Sequence, residues 1–214
     1  DRRARLEALR GGVDDVLTQP LNDMLLQARI RSLLRARTFT EELRMQGGTQ
    51  HDLGFAEPRP VFTPRRNVTI VAADARTART WREELTPYTR HRIATHTIDD
   101  IQRLMAEPPA DAYVIDISRD VSAPGLRLVA ELQARGATRA SPLIAVSMPE
   151  DHLRAAEALD RGVSDVMTNG FLPDELALRL QAQVERKVAA DLLRASVRDG
   201  LRASVYDPMT GLFN

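Results

Sequence analysis

The side chains able to do chemistry in this sequence are carboxylates and arginines rather than thiols or imidazoles. The 214 residues include no cysteine, which excludes disulfides, thiolate metal sites and cysteine nucleophiles. Carboxylate oxygens suit Mg²⁺, and guanidinium groups bind phosphates through paired hydrogen bonds. The histidines show no ligand spacing, so we expect no metal site built from His51, His91, His96 and His152.

The charge balance limits the partners this chain can have. Lysine plus arginine and aspartate plus glutamate both number 30, which argues against a nucleic-acid binder that works by neutralising phosphates. Local groups of arginines could still bind anions. Aromatic residues make up 4% of the chain, too few for a base-stacking platform. No apolar run approaches the roughly 20 residues that span a bilayer, and no signal peptide is present. We therefore expect a soluble, cytoplasmic protein without nucleic-acid or membrane partners.

The second part of the chain alternates apolar runs with helical patterns. Strands separated by helices predict a parallel sheet covered on both faces, because parallel neighbours need crossover connections. We predict an α/β fold with a flavodoxin-like, doubly wound, five-stranded parallel sheet, strand order 2-1-3-4-5, and long connecting helices. The predicted strands are 68–73, 92–97, 112–117, 143–147 and 163–168, and the helices between them are 76–85, 99–105 with Asp99 as its cap, 125–135 and 150–161.

An internal repeat with an offset of 150 residues links the two ends of the chain. Both copies predict a helix, a glycine stop, a short buried strand and a second helix, so residues 13–18 should form a strand. A strand with an unpaired edge cannot close a core alone. Either upstream residues complete this first unit or it docks against the second. The repeated positions are Glu7-Ala8-Leu9 with 157–159, Gly12-Val13 with 162–163, Asp15-Val16 with 165–166, Thr18 with Thr168 and Arg29 with Arg179.

Two long helices should lead out of the two copies. The first is predicted over 23–45, ended by the glycines of 46–50, with a proline-rich linker following to about residue 64. The second should run over 173–206, and about 30 helical residues would reach about 45 Å. Such a length favours a signalling arm and dimer contact, with Gly200 as its weak point, although a frayed tail is the alternative.

The domain over 67–190 resembles a two-component receiver domain, the CheY-like form of the flavodoxin-like fold. The resemblance implies a site at the carboxyl ends of the strands, where an acidic pair holds Mg²⁺, an Asp accepts a phosphoryl group, a hydroxyl follows the phosphate and a Lys completes the site. Asp116 matches the phosphoacceptor and Ser147 the switch hydroxyl, whereas Ala72 and Ala73 replace the acidic pair and Asn169-Gly170 replaces Lys-Pro. We therefore predict a degenerate receiver that is not phosphorylated. Asp116 is then an acidic residue at a strand end, hydrogen-bonded to loop amides. The alternative is a working phosphoacceptor, which would make the second receiver itself a phosphorylation switch.

The first copy resembles the last third of a receiver, with Gln19 at the Lys position and Pro20 retained. The tail resembles the start of a GGDEF domain, the enzyme that condenses two GTP into cyclic di-GMP. Met209 replaces the usual Leu there, and the matching residues are Asp207, Thr210, Gly211, Leu212 and Asn214.

Two receivers followed by a GGDEF start is the layout of PleD-type response regulators. The resemblance implies a partial first receiver (1–46), a linker (47–66), an adaptor receiver (67–190), a connecting helix (191–206) and a GGDEF start (207–214). It also implies an upstream histidine kinase, a homodimer through the receivers and Mg²⁺ in the full-length diguanylate cyclase. This chain itself should be non-catalytic and bind no cofactor.

Cyclic di-GMP is a further candidate ligand that the resemblance suggests, with Arg76 and Arg79 as candidate contacts. The alternative for these two arginines is a solvated helix face. The alternative function is a non-catalytic adaptor that binds a partner protein or cyclic di-GMP without phosphorylation.

Overall fold

Runs of branched and apolar residues form a five-stranded sheet in this computed structural model, which describes residues 2–17, 19, 22–51, 65–118 and 124–205. All neighbouring strands are parallel, and their order is β2-β1-β3-β4-β5, which confirms the predicted fold class. The strands are β1 (Asn67–Ala72), β2 (Arg92–Thr97), β3 (Ala112–Asp116), β4 (Leu143–Val146) and β5 (Asp165–Met167).

Helices precede the sheet and cover both of its faces. Within the described residues they are α1 (Arg2–Arg10), α2 (Asp23–His51), α3 (Ala75–Leu85), α4 (Ile101–Ala106), α5 (Pro124–Ala134), α6 (His152–Asp160) and α7 (Pro173–Val205). None of these combines the length and apolarity needed to cross a bilayer.

Alternation along the strands divides the core into two layers. Successive side chains of a strand point to opposite faces. In β3, Val114 packs with Leu85 of α3 and Leu180 of α7, whereas Ile115 packs with apolar residues of α4, α5 and α6. Leu25 and Ala28 of α2 join this second layer. The segment that contains α1 and α2, called the first unit below, therefore contributes directly to the core of the domain over 67–190, called the second unit.

The two copies of the repeat have the same local backbone geometry. Gly12 and Gly162 both have positive φ, at 85° and 98°, a conformation that glycine adopts without steric penalty. The N–H of Val13 donates to Ala8 O at 3.2 Å, and the N–H of Val163 donates to Ala158 O at 3.1 Å. The sequence repeat is therefore also a structural repeat up to this turn.

The predicted strand over 13–18 is wrong for residues 13–17, which are not in a strand. The described sheet consists of β1 to β5, and neither of its edge strands, β2 and β5, pairs with this segment. Without a hydrogen-bonded neighbour an isolated strand is not stable. Val13 and Leu17 are accordingly 50% and 44% exposed. The fifth strand is also shorter than predicted, because only Asp165–Met167 pairs with β4.

Several helix boundaries differ from the sequence prediction, and two of the differences have a physical explanation. α2 continues to His51, through the glycines at 47 and 48 that were expected to end it. A glycine in a helix costs about 1 kcal/mol relative to alanine, which weakens a long helix without terminating it. Asp99 does not cap α4, since a 3₁₀ turn over Ile98–Asp100 comes first and α4 begins at Ile101.

α7 is a single helix of 33 residues, or about 50 Å at 1.5 Å per residue. Leu176, Leu180 and Val184 are completely buried against the sheet, and Val188 is nearly so. Leu192 is 57% exposed, so the helix leaves the sheet between these two positions. The part beyond Val188 is therefore available for contacts outside the domain.

Candidate functional site

Asp116 ends β3 and is held by donors from its own loop. The backbone N–H of Ser118 donates to Asp116 Oδ1 at 2.9 Å, and the hydroxyl of Ser118 donates to the same oxygen. The N–H of Ala73 lies 3.5 Å from Asp116 Oδ2. The side chain is buried, so these donors replace water around the carboxylate. Both oxygens of Asp116 are thus engaged.

The strand-end positions that would hold a metal carry no carboxylates. Ala72 is completely buried at the end of β1, and Ala73 follows it. Asp74 caps α3, where it accepts hydrogen bonds from Thr77 N at 2.8 Å and Thr77 Oγ1 at 2.9 Å. One carboxylate beside two alanines does not fit Mg²⁺, which prefers several oxygen ligands. Across the described ranges no three histidine, aspartate or glutamate side chains form a metal-binding group.

Ser147 and Asn169-Gly170 lie at the ends of β4 and β5. The Ser147 hydroxyl is buried and donates to Met167 O at 3.3 Å, so it is directed toward β5. Asn169 is exposed, and the N–H of Gly170 donates to Ser147 O at 2.9 Å. Gly170 has a positive φ of 73°, which favours glycine at this turn. The structure therefore brings Asp116, Ser147 and the β5 turn to one edge of the sheet, without a lysine.

Arg154 supplies a cation near this edge that the sequence analysis did not identify. Its Nη1 donates to Ile117 O at 3.2 Å, one residue after Asp116, and its Nε lies 3.2 Å from Asp151 Oδ2. The guanidinium group is therefore held by the loop that follows β3. No sequence motif marked this arginine, because its partner is a backbone carbonyl.

The remaining candidate residues are dispersed. Arg76 and Arg79 are exposed on α3, and Gln19 is exposed before α2. Pro20 and the GGDEF-like residues Asp207, Thr210, Gly211, Leu212 and Asn214 lie outside the described residues. Among the described residues, no hydrogen bond or ion pair brings Arg76, Arg79 or Gln19 to the Asp116 edge.

The most highly connected charges lie between the two units, in a ring formed by Asp15, Arg29, Asp165 and Arg179. Arg179 binds Asp165 Oδ2 at 2.8 Å and Asp15 Oδ1 at 3.0 Å. Arg29 binds Asp165 Oδ1 at 3.3 Å and also Asp15. Both arginines are more than nine-tenths buried. Each unit thus contributes one aspartate and one arginine from equivalent positions of the repeat.

The electrostatics of the ring favour a permanently charged Arg179. Burial lowers the pKa of its guanidinium group, but Asp165 and Asp15 outweigh this effect and raise the pKa above its usual value. Glu175 adds a further contact at 2.9 Å. The repeat in the sequence contained Asp15, Asp165, Arg29 and Arg179, and docking of the first copy against the second was one of its two expected outcomes, but the sequence did not indicate that these four residues meet.

The sheet topology indicates which class of fold this chain has. Residues 67–190 have the fold of response-regulator receiver domains, in a form without the acidic pair. A putative response regulator from Chloroflexus aurantiacus aligns with a TM-score of 0.51 and 16% identity, over 57% of this chain and 99% of that chain. NtrX from Brucella abortus aligns with a TM-score of 0.53 and 18% identity, over 67% of this chain and 31% of that chain. At these identities the likeness concerns the fold.

In sequence, the chain is similar to particular response regulators. Response regulator PleD from Caulobacter vibrioides is 29% identical over 213 residues, which cover 100% of this chain and 47% of PleD. The transcriptional regulatory protein KdpE from Mycobacterium tuberculosis is 33% identical over 98 residues, 44% of this chain and 40% of KdpE. The chain thus spans about half the length of PleD, and no protein-family model matches it.

Proposed function

We propose that this chain is the regulatory receiver region of a response regulator whose full-length form is a diguanylate cyclase. In this proposal a histidine kinase phosphorylates the complete first receiver, the second unit is an adaptor, and phosphorylation-linked dimerisation controls cyclic di-GMP synthesis. The observation that carries it is the alignment with PleD, which runs through both repeats and α7. The GGDEF-like tail is what supports a cyclase as the output.

The surroundings of Asp116 support an adaptor role for the second unit. Phosphoryl transfer requires a cation that offsets charge on the transferred group. The acidic pair is absent, Asp74 is used to cap α3, and Asn169 stands at the Lys position. Arg154 is already bonded to Ile117 O and Asp151. Asp116 is therefore a poor phosphoryl acceptor.

An exposed apolar face supports a larger first unit. Ile30 and Leu34 are 47% and 57% exposed, whereas their equivalents Leu180 and Val184 are completely buried beneath the sheet. A sheet like that of the second unit would cover this side of α2. Burying such side chains is worth about 1.5–3 kcal/mol each. The face therefore fits the last third of a complete receiver.

The coding sequence on both sides of this region provides the direct test. We expect a GGDEF-type motif downstream, and an acidic pair with a phosphoacceptor upstream. The full-length protein should make cyclic di-GMP from GTP and Mg²⁺ at a rate that beryllofluoride increases, while residues 1–214 alone should make none. Substitution D116N should leave the beryllofluoride response unchanged, whereas substitution of the upstream phosphoacceptor should abolish it. A response that depends on Asp116 would exclude the adaptor role.

A second candidate function is an adaptor that binds cyclic di-GMP or a partner protein without phosphorylation. The observation in its favour is the exposure of Arg76 and Arg79, two residues three apart on α3 that can meet the same ligand. Guanidinium groups can pair with phosphates and stack on guanine. Isothermal titration of the chain with cyclic di-GMP should show binding that R76A/R79A removes and R139A, an exposed control, retains. Absence of heat at millimolar ligand would eliminate cyclic di-GMP.

A further inference from the structure

A cavity of about 90 Å³ lies between the first unit and the second and is lined by side chains of both. Its apolar wall consists of Val16, Leu17, Leu25, Leu26 and Val166. Arg29 and His152 belong to its polar wall. Leu17 is 44% exposed, so the cavity can be reached from solvent at this residue. Ligand sites often lie where two structural units meet, and this cavity offers a ligand both an apolar and a polar wall.

The arginines of the ring line this cavity, but the aspartates of the ring do not. The charged residues in the cavity lining are Arg5, Arg29, Glu175 and Arg179. Asp15 and Asp165 instead line a separate cavity of about 10 Å³, which is the size of a single water molecule. Arg29 lines both cavities. The larger cavity therefore has more cationic than anionic side chains in its lining, which favours an anionic ligand.

Two buried nitrogen atoms of the lining residues have no hydrogen-bond partner within the described part of the chain, namely Arg29 Nε and His152 Nδ1. The other nitrogens of Arg29 are engaged, because Nη1 lies 3.3 Å from Asp165 Oδ1 and Nη2 donates to Val166 O at 2.6 Å. A buried donor without an acceptor costs free energy, and a carboxylate is a strong acceptor for a guanidinium group. These two nitrogens are therefore suited to hold the anionic end of a ligand.

The size of the cavity restricts the ligand to a small molecule. A cavity of about 150 Å³ holds benzene, so by proportion this one suits a ligand of about four non-hydrogen atoms. Nucleotides are too large, because sites for ligands of drug size measure about 300–1,000 Å³. Water or inorganic phosphate would satisfy the nitrogens but leave the leucine and valine side chains against a polar molecule. A carboxylate on a short aliphatic chain matches both walls.

We propose that the cavity between the two units binds a short-chain aliphatic carboxylate. The carboxylate accepts hydrogen bonds from Arg29 Nε and from His152 Nδ1, in the tautomer that carries its proton on that nitrogen. The aliphatic end contacts the leucine and valine side chains. Because both units line the cavity, the ligand binds only when they are docked and stabilises the docked arrangement by mass action. The site depends on neither phosphorylation nor cyclic di-GMP.

Three probes of similar size test the chemistry of the site in the 214-residue chain. Propionate has the charge and the apolar end, propionamide lacks the charge, and inorganic phosphate lacks the apolar end. Each is titrated at constant ionic strength into ¹⁵N-labelled protein, and the amide signals of Leu25 and Val166 report binding from the two units. We expect saturable shifts of both signals, with propionate bound about ten-fold more tightly than either other probe, as for a hydrogen-bonded charge. Equal affinity for propionamide, tighter binding of phosphate, or the absence of saturable shifts would overturn the proposal.

Variants of partly exposed residues locate the ligand without removing the ring. L17F fills the cavity and should abolish propionate binding, whereas L192F is the matched control, because Leu192 is 57% exposed on α7 and is not part of the lining. H152F keeps an aromatic ring but removes Nδ1, so it should weaken binding about ten-fold. Circular dichroism confirms that each variant is folded. Binding of propionate that is unchanged in L17F or in H152F, or that is lost equally in L192F, would place the ligand elsewhere and refute the assignment.

Discussion

Arg29 and Arg179 are 150 positions apart in the chain, and each binds the same two carboxylates, Asp15 and Asp165. All four side chains are less than 10% exposed. Buried charges are tolerated only when they are paired, so each member of the ring depends on the other three. The junction between the two units is therefore sensitive to single substitutions.

Removing Arg179 should be strongly destabilising. R179A leaves Asp15 and Asp165 with Arg29 alone, and breaking a buried ion pair in this way typically costs about 3–5 kcal/mol of unfolding free energy. Urea unfolding followed by the fluorescence of Trp81, the single tryptophan, gives this value. R161A is the matched control, because its pair with Glu157 is exposed and worth about 0.3–0.5 kcal/mol. Equal losses in the two variants would show that the ring contributes no special stability.

Gly125 should not accept even a methyl group. A Cβ at this position would collide with the backbone oxygen of Asp116, which cannot move without disturbing β3. We expect G125A to lower the unfolding free energy by about 1–3 kcal/mol, as overpacking does. G136A is the control, because space around Gly136 is open. Thermal melts of both variants provide the measurement, and an unchanged melt for G125A would mean that α5 shifts freely.

Restoring the missing groups should restore metal binding at the strand ends. A73D places a second carboxylate near Asp116, and N169K replaces the absent Lys. Trp81 stacks on Phe171 at 4.5 Å, two residues after Asn169, so its fluorescence reports on this loop. We expect a saturable Mg²⁺ response in A73D/N169K that the native chain lacks and that D116A removes. A response of equal size in the native chain would contradict our interpretation of the site.

Stability should fall as the pH drops below about 6.5 because of His91. Burial, with Arg90 and Arg66 acting in the same direction, lowers the pKa of this histidine from 6.5 despite opposing effects of Gln181 and Asp111. The unfolded chain therefore binds a proton at a higher pH than the folded protein does. The stability contributed by neutral His91 is complete above the unfolded pKa and is lost as the pH falls toward the folded pKa.

The substitution H91N isolates this effect from the titration of carboxylates. His91 Nδ1 accepts a hydrogen bond from the N–H of Arg66 at 3.3 Å, and an asparagine oxygen can take its place. Unfolding free energies at pH 7.5 and 5.5 should differ less in H91N than in the native chain. Identical differences would assign the pH dependence to other groups.

Strand order was predictable from the sequence because the apolar runs that form β1, β3 and β4 are buried on both sides. The place of Asp116 and Ser147 at one edge followed from the resemblance to receivers, which puts both residues at the carboxyl ends of their strands. The strand expected over 13–18 was wrong for residues 13–17 because strand formation needs a paired neighbour, which no local pattern can supply. The role of Asp74 as a helix cap depends on its hydrogen bonds to Thr77, which its position in the sequence did not specify.

The ring of Asp15, Arg29, Asp165 and Arg179 shows that a sequence repeat identifies equivalent residues but not the contacts between them. Asp15 and Asp165, like Arg29 and Arg179, were found as equivalent positions. Their contact depends on docking of one unit against the other, which is a tertiary property. The position of Arg154 could not be predicted for a similar reason, because its hydrogen bond to Ile117 O involves a backbone group that every residue has.

The sharing of carboxylates in the ring also has an evolutionary consequence. A change at Asp15 alters the surroundings of Arg179 in the other copy, and a change at Asp165 alters those of Arg29. Substitutions at these positions in one half of the duplication are therefore constrained by the residues of the other half. Among relatives that keep both halves, substitutions at 15 and 165 should covary with those at 29 and 179 across the duplication.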